Sequence, residues 1–325
     1  MNKQWIGIDI SKDSLSIAFQ CNAQWHEQEI ENTATAIGNW IRQLDASMAH
    51  VVLEFTGTYG HKLMWLLQHG GITYSAITPR QSRQFTGVLK SITKNDTRDA
   101  RLLALFGQQV QPQPHELSSE AVERLQQLRT VLRQLKKQLR MLLNQQHALE
   151  QRLHMDGVAK QVLEQAVAQV RGHIERLEKE ISTLADDEFS DLLKLVTSVK
   201  GIGKTIATAL LTATNGLKSF NSHKELAKFI GIAPTQFRSG TSVRGKGHIN
   251  RSGDPHLRSL FYAGTWSALR SNKACKTLYD RLRSKGKPTK VALIAVAHKL
   301  LRQIWAVVKH NTLFDNEFEF KEQPV

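Results

Sequence analysis

Two short apolar runs near the start of the chain each stop at a carboxylate, and this pattern constrains the fold more than any other feature. Residues 5–8 are followed by Asp9, and residues 51–53 are followed by Glu54. Short apolar runs bounded by polar residues are typical of buried strands. Since the ends of adjacent strands can meet at one edge of a sheet, we expect Asp9 and Glu54 to lie together there.

Around these two runs, strand and helix patterns follow one another as in an α/β domain. Predicted strands cover 4–9, 14–20, 25–30, 50–55 and 72–77, and predicted helices cover 34–44 and 59–69. The first three strands follow one another directly, and the later ones alternate with helices. This order predicts a mixed sheet rather than a purely parallel one.

Two further carboxylates, Asp96 and Asp99, lie just before the apolar segment 102–106. Residues at i and i+3 share a helix face, so this pair could reach one ion together. Hard cations such as Mg²⁺ prefer oxygen ligands, and two such ions can assist an in-line phosphoryl transfer. Taken singly, Asp9 could be a turn residue and Asp96 a helix N-cap. The co-occurrence of all four carboxylates favours a metal site.

The charges separate the chain into two parts. Lys and Arg number 44 against 29 Asp and Glu, a formal net charge of +15. Residues 1–190 hold 21 basic and 21 acidic side chains, whereas residues 191–325 hold 23 basic and 8 acidic ones. Such an excess is typical of polyanion binders. We expect a nearly neutral catalytic part joined to a part that holds nucleic acid; a merely soluble basic surface is the simpler alternative.

Cysteine content and hydropathy indicate the cellular compartment in which the protein is expected. Cys21 and Cys275 are isolated and provide neither a disulfide framework nor zinc-ligand spacing. We find no apolar stretch that approaches the roughly 20 residues needed to span a membrane. Residues 1–11 lack a signal-peptide pattern. These observations predict a cytoplasmic protein with no membrane partner.

Between about 118 and 185, apolar residues recur at alternating spacings of three and four. Two such series, 125–142 and 163–184, are separated by a turn expected near 155–157. The pattern predicts a helical hairpin or a coiled coil, and a pair of ordinary amphipathic core helices is an equal alternative. In either case we expect a spacer or an oligomerisation surface.

The basic part opens with a tight Gly-Ile-Gly turn ahead of the apolar helix 206–211. Exposed backbone amides and flanking lysines of such a turn could hold a phosphate. The turn resembles a helix-hairpin-helix element, which grips nucleic-acid backbone without reading sequence, although ordinary helix packing can use the same glycines. The candidate contacts are Lys200, Gly201, Gly203 and Lys204.

Residues 237–253 are rich in Gly, Ser and Arg, so the sequence predicts a loop. One interpretation is a phosphate-binding loop with flexible glycines. The other is a serine nucleophile among arginines that neutralise a scissile phosphate. The basic candidates for nucleic-acid contact are Arg238, Arg244, Lys246 and Arg251 in this segment and Arg258 on the helix expected after it.

Motifs along nearly the whole chain resemble those of the DEDD insertion-sequence transposases of the Piv-invertase type, whose best understood members are bridge-RNA-guided recombinases. The motifs are GIDIS, LEFTGTY, KNDTRDARLLA, VKGIGKTIATALL and FRSGTSVRGKGHINRSG. The resemblance implies a RuvC-like ribonuclease H fold for the first domain. It also implies that the Mg²⁺-binding tetrad consists of Asp9, Glu54, Asp96 and Asp99.

The same resemblance implies a serine nucleophile, and its motif falls on Ser239. Ser242 is close by, and no chemistry visible in the sequence separates the two. The implied reaction is the cutting and rejoining of DNA through a covalent phosphoserine, with Mg²⁺ as the cofactor. A structured guide RNA and a homo-oligomer, either dimer or tetramer, are the implied partners besides double-stranded DNA.

Two other classes of protein are compatible with the residues alone. A structure-specific nuclease or junction resolvase would use the tetrad with water as nucleophile, and a non-catalytic nucleic-acid-binding protein would not use it. The expected division is a RuvC-like catalytic domain (1–115), a helical hairpin (116–190), a mainly α-helical basic domain with the serine (191–313) and a polar tail (314–325).

Overall fold

The computed structural model divides the chain into two compact units, residues 1–117 and 118–325. It describes residues 3–55, 57–88, 96–115, 118–218, 220–235, 238–239, 243–244, 248–249 and 253–317. For residues 58, 88, 96, 97, 238, 239, 243 and 244 it describes the backbone alone. The predicted division into four segments is finer than these two units and stays a prediction.

The first unit is built on a five-stranded mixed sheet in the order β3-β2-β1-β4-β5. Strand β2 is antiparallel to β1 and β3, whereas β4 is parallel to β1 and β5. The mixed α/β architecture is therefore confirmed, and each strand lies within one residue of its predicted bounds. The strands are β1 (Gln4–Ile10), β2 (Ser14–Cys21), β3 (Gln24–Glu31), β4 (Ala49–Glu54) and β5 (Thr73–Ile77).

Helices cover both faces of this sheet: α1 (Ala34–Ile41) and α2 (His61–His69) on one, α3 (Pro79–Val88) and α4 (Asp96–Val110) on the other. A 3-10 turn, Thr58–Gly60, precedes α2. Because successive side chains of a strand point to opposite faces, β1 contributes to both layers. Ile6 and Ile8 are buried against α1 and α2, and Trp5 is buried against α4.

A buried histidine on the α4 face connects the sheet to the segment that leaves the first unit. His50 is 1% exposed, stacks on Trp5 with ring centroids 4.2 Å apart, and lies 2.8 Å from Ser75 Oγ. Ser75 in turn donates to the carbonyl oxygen of Gln113 at 2.8 Å. Burial, assisted by the charge of Lys3, lowers the pKa of His50 to about 4.

Replacing His50 should therefore change how stability depends on pH. The unfolded state takes up a proton below about pH 6.5 and the folded imidazole only near 4, so the free energy of unfolding falls across that window. By pH 4.5 this loss should reach roughly 2 kcal/mol. In His50→Gln that contribution disappears. Urea unfolding at pH 7.5 and 4.5 gives the free energy of unfolding of both proteins. If the two proteins differed by the same amount at both pH values, the prediction would be contradicted.

The second unit is mainly helical, and its described residues form one large apolar core. Its long helices are α5 (Glu120–Glu150), α6 (Gly157–Ser198) and α11 (Thr289–His310), and its shorter ones are α7 (Lys204–Ala213), α8 (His223–Ile230), α9 (Pro255–Ser271) and α10 (Lys273–Ser284). Between α8 and α9 lie four two-residue strands, β6 (Pro234–Thr235), β7 (Arg238–Ser239), β8 (Val243–Arg244) and β9 (His248–Ile249).

Helices α5 and α6 pack along each other where a helical hairpin was predicted. Asp156 caps α6 by accepting from Ala159 N at 2.9 Å, next to the expected turn. Helix α6 continues through residue 190, with one non-helical residue at Phe189 (φ −124°, ψ 25°). The pairing explains the two apolar series, and their interpretation as a coiled coil stays a prediction.

Helix α11 is an exception to the statement that no segment is apolar enough to cross a membrane. Among the described residues it is the one helix that qualifies by length and composition. Its apolar side chains are those of a core helix: Leu293, Val296, Leu300 and Ile304 are fully buried within the second unit. Charged residues within the helix, such as Lys299, interrupt the apolar run, so the sequence contains no continuous stretch of that length here.

Candidate active site

Two predicted site carboxylates lie at the ends of adjacent parallel strands in the first unit. Strands β1 and β4 pair in register up to Ile8 opposite Leu53, and Asp9 and Glu54 are the next residue on each strand. Ile8 and Leu53 are buried under α1 and α2, so the following residues belong to the opposite, α4 face. Both carboxylates are half-buried. The expectation that they share a sheet edge is thus met by the register.

Helix α4 lies directly against β1 close to these carboxylates. A Cβ atom on Gly7 would lie 1.9 Å from the carbonyl oxygen of Ala100 and 2.5 Å from the amide nitrogen of Ala104. No side chain fits into that gap, so glycine permits the contact. Gly7 is two residues before Asp9 on the same face of the strand, and the first turn of α4 precedes Ala100.

The first turn of α4 carries the other two members of the predicted tetrad. Asp99 is half-buried one residue before the contact with Gly7, and Asp96 begins the helix, with its side chain outside the described part. Among the described residues no group of three or more His, Cys, Asp or Glu side chains is placed to hold a metal ion. The structure thus brings Asp9 beside Glu54, and the start of α4 to the same face, and the described side chains do not form a closed set of three ligands. All four candidates are oxygen donors, which fits a hard cation such as Mg²⁺.

A buried amide that sequence reasoning missed fastens the segments that follow the two strand-end carboxylates. Asn32 is 6% exposed and donates through Nδ2 to the carbonyl oxygens of Ser11 at 3.0 Å and Tyr59 at 3.2 Å. Lys62 donates to the carbonyl oxygen of Asn32 at 2.6 Å. Ser11 follows β1 and Tyr59 follows β4, so a single side chain joins the two turns. Its position just after β3 is the sequence signal that could have indicated it.

The segment predicted as a loop, residues 237–253, takes part in two antiparallel strand pairs in its described part, and β6 just before it supplies one of the four strands. The outer pair joins β6 to β9, and Thr235 Oγ1 donates to the carbonyl oxygen of His248 at 2.6 Å. The inner pair joins β7 to β8, with Arg238 opposite Arg244 and Ser239 opposite Val243. The loop prediction, made for residues 237–253, was wrong for the six residues of β7, β8 and β9, because the Val and Ile among the glycines favour extended backbone. We call these nested pairs the serine hairpin.

The predicted site residues of this segment fall at different places. Ser239, the proposed nucleophile, is in a strand of the inner pair, as are Arg238 and Arg244. Ser242, Lys246 and Arg251 lie outside the described residues.

The base of the serine hairpin is held between two helices. A Cβ on Gly253 would lie 2.2 Å from the carbonyl oxygen of Phe229 in α8, and Asp254 N donates to that same oxygen at 3.0 Å. Asp254 also caps α9 by accepting from His256 N at 2.8 Å. Arg258, predicted to contact nucleic acid, donates from its guanidinium to the carbonyl oxygen of Ile230 at 3.3 Å. Part of its hydrogen-bonding capacity is thus used to fix the hairpin base.

The Gly-Ile-Gly turn joins α6 to α7 and packs against α9. Gly201 has φ +103°, and a Cβ there would lie 2.6 Å from Ala268 Cβ, so this glycine is required by both conformation and space. Lys200 is exposed, and its carbonyl oxygen accepts from Asn272 Nδ2 at 3.1 Å. Lys204 pairs with Asp186 at 2.5 Å. The turn therefore has a structural role, because it connects α6 to α7 and packs on α9. Its phosphate-binding role and its assignment as a helix-hairpin-helix element stay predictions.

Comparison with known proteins places this arrangement in a class of DNA-processing enzymes. Residues 6–155 match a family model described as a transposase, of the DEDD IS110 type, and residues 193–280 match the transposase IS116/IS110/IS902 family. The chain is 30% identical over 327 residues to a pilin gene-inverting protein of Moraxella bovis, covering 97% of this chain and 98% of that one.

Other similarities cover smaller parts of the chain. An uncharacterised 43.6 kDa protein of insertion element IS110 from Streptomyces coelicolor is 31% identical over 140 residues, 43% of this chain and 34% of the relative. The solved structure of Thermus thermophilus RuvC in complex with a Holliday junction substrate aligns with 35% of this chain and 100% of its own, at 12% identity and a TM-score of 0.27.

The chain belongs to the IS110 family of DEDD transposases. It is therefore an enzyme that acts on DNA.

Substituting Gly7 should test the contact between α4 and β1. In Gly7→Ala the added methyl must displace the backbone of α4, at a cost of about 1–3 kcal/mol in the free energy of unfolding. DNA cleavage should fall too if α4 carries metal ligands, because the candidate ligands Asp96 and Asp99 move with the helix. The matched control is Gly38→Ala in α1, where nothing lies within 4 Å of the new Cβ. Urea unfolding and a cleavage assay measure both effects; identical behaviour of the two variants would disprove the contact.

Proposed function

We propose that this transposase cuts and rejoins DNA through a covalent serine ester, with Asp9, Glu54, Asp96 and Asp99 as the ligands of two Mg²⁺ ions and Ser239 as the nucleophile. The observation that carries the proposal is the register of β1 and β4. It sets Asp9 beside Glu54 on the sheet face where α4 begins. Family membership adds the expectation of metal-dependent chemistry on DNA.

The proposed chemistry conserves the energy of the phosphodiester bond. The hydroxyl oxygen of Ser239 attacks phosphorus, an O–P bond forms to serine, and the P–O bond to one deoxyribose breaks. The serine proton leaves and the departing sugar oxygen gains a proton. When a different sugar hydroxyl attacks the serine ester, the steps reverse on a new partner strand, so that no water and no external energy source are consumed.

Each group has a separate part in this reaction. The four carboxylates hold the cations, and bound Mg²⁺ would supply Lewis-acid stabilisation of the phosphate in transfer. Arg238 and Arg244, paired across the inner strands, would neutralise the phosphate oxygens. Phe55 and Tyr59, both exposed just after Glu54, would offer stacking surfaces to bases near the cut.

The proposed assembly contains more than one chain and an RNA. The tetrad and Ser239 belong to different compact units. We propose that the chains of a dimer or tetramer complete the site together, as the family resemblance implies. We propose double-stranded donor and target DNA as substrates and a structured guide RNA, held through its backbone and shape. The setting we propose is the cytoplasm, in keeping with two free cysteines.

Removing the carboxylates should separate cleavage from binding. Asp9→Ala, Glu54→Ala and Asp99→Ala should each lower Mg²⁺-dependent cleavage by more than about 100-fold, in line with loss of electrostatic stabilisation. Affinity for DNA should change little, because these residues lie outside the basic part. Glu31→Ala, at the exposed end of β3, is the matched control and should cut normally. Normal cleavage by any two of the three variants would refute the tetrad.

Trapping the covalent intermediate should identify the nucleophile. Ser239→Ala should abolish the protein–DNA adduct and all recombination, because the attacking oxygen is gone while the bulk of the hairpin is retained. Ser242→Ala is the matched control and should keep the adduct. The reaction is stopped with denaturant, linked protein is detected on a gel and the linked peptide is mapped. A link at Ser242 would overturn the assignment, and cleavage without any adduct in the unmodified protein would favour a nuclease that uses water.

A further inference from the structure

Helix α5 carries a local excess of positive charge that the balanced total for residues 1–190 conceals. Between residues 124 and 149 there is no Asp or Glu, and there are six basic residues: Arg124, Arg129, Arg133, Lys136, Lys137 and Arg140. Helix α6 has the opposite bias, since eight acidic and four basic residues lie between 156 and 190. The opposite charges of the two helices cancel in the net charge of residues 1–190, but they lie on different helix surfaces.

Four of these cations form one line along the helix, which we call the α5 stripe: Arg129, Arg133, Lys136 and Arg140. Their spacings of four, three and four residues are those of a single helix face. The line is about 16 Å long at the rise of an α-helix, which spans several phosphates of a nucleic-acid strand. Leu125, Leu128 and Leu132 lie on the adjoining side of the helix and pack into the core.

Pairing with the acidic helix accounts for only part of this charge. Arg124 pairs with Glu180 at 2.5 Å, and Lys136 pairs with Glu178 at 2.6 Å. Within the described ranges no ion pair involves Arg129, Arg133 or Arg140. Arg133 donates to Thr130 Oγ1 at 3.3 Å, a bond to a neutral group on its own helix. Arg133 and Arg140, which are exposed, are thus available to an external anion.

The stripe lies beside the start of α9, where the serine hairpin ends. Burial first, then Arg129, Arg133 and Lys136, lower the pKa of His256, and Asp254 opposes them. Burial and Arg133 likewise lower the pKa of Arg129 to about 10, again with Asp254 opposing. The charges of three cations and of Asp254 therefore act on His256 at the positive end of a 17-residue helix, although one of the cations, Lys136, is paired with Glu178. Asp254 already accepts two backbone amides, so its charge is partly engaged.

We propose that the α5 stripe, together with His256 and the N-terminus of α9, is a binding surface for the phosphate backbone of DNA. This inference rests on the proposed function, because it assigns to the surface the strand whose phosphate is attacked at the serine hairpin. Gly253 and Asp254 join the hairpin base directly to α9, so the stripe and the strand that carries Ser239 belong to neighbouring elements of the same unit. Guanidinium groups suit phosphate because they present several donors in a fixed plane.

Binding measurements on the full chain without divalent ions test the proposal, because no cleavage is then required. The variant is Arg133→Gln with Arg140→Gln, two exposed stripe positions. The control is Arg171→Gln with Arg176→Gln, two exposed arginines on α6, which removes the same charge in the same unit. Fluorescence anisotropy with a DNA duplex and with a hairpin RNA gives affinities from about 50 to about 300 mM salt, the range over which phosphate contacts weaken. Circular dichroism and thermal unfolding establish that both variants are folded.

The stripe variant should bind the duplex about tenfold more weakly, and the slope of log affinity against log salt should fall by about 1–2, at about 0.9 for each phosphate that is no longer neutralised. The control should stay within about twofold at an unchanged slope. Equal behaviour of the two variants, or a weakening confined to the RNA, would overturn the proposal. Failure of the proposed function is seen separately, because a covalent adduct in Ser239→Ala would refute the nucleophile and leave the salt slopes unaffected.

Discussion

The approach of α4 to β1 is the contact on which the arrangement of the first unit depends. Gly7 leaves no atom between the strand and the helix, and Ala100 and Ala104 are fully buried on the helix side. Gly107 continues this small-residue surface, since a Cβ there would lie 2.5 Å from the ring of Trp5. Because close packing transmits small volume changes, one methyl group at this contact is enough to move the helix. The carboxylates at the start of α4 depend on it for their position.

A second tight contact organises the other half of the molecule in the same way. Gly253 brings the end of the serine hairpin against the backbone of α8, and Asp254 begins α9 immediately afterwards. The two short strand pairs of the hairpin could not be stable alone, since isolated two-stranded ribbons are marginal in water. Their stability comes from the helices at their base. In both units a glycine therefore allows a backbone contact that fixes the position of candidate site residues.

The net charge of a long segment conceals local excesses of positive or negative charge. The first 190 residues sum to zero, yet they contain a basic helix and an acidic helix that lie side by side. The pairs Arg124–Glu180 and Lys136–Glu178 are exposed and add little stability. Their effect is to orient the two helices and leave the remaining cations of α5 on one flank. The expectation that this segment serves only as spacer or oligomerisation surface does not explain that asymmetry.

The sequence by itself determined the order of elements, the mixed sheet and the positions of Asp9 and Glu54, because strand periodicity is a local property. Motif spacing also sufficed to indicate the transposase family. Only the tertiary structure decided the features that depend on residues distant in the chain. These are the burial of Asn32 between two turns, the pairing of strands within a segment rich in glycine, and the line of α5 cations beside α9. Each arises where separate elements pack together, and the sequence pattern of one segment does not indicate which other segment packs against it.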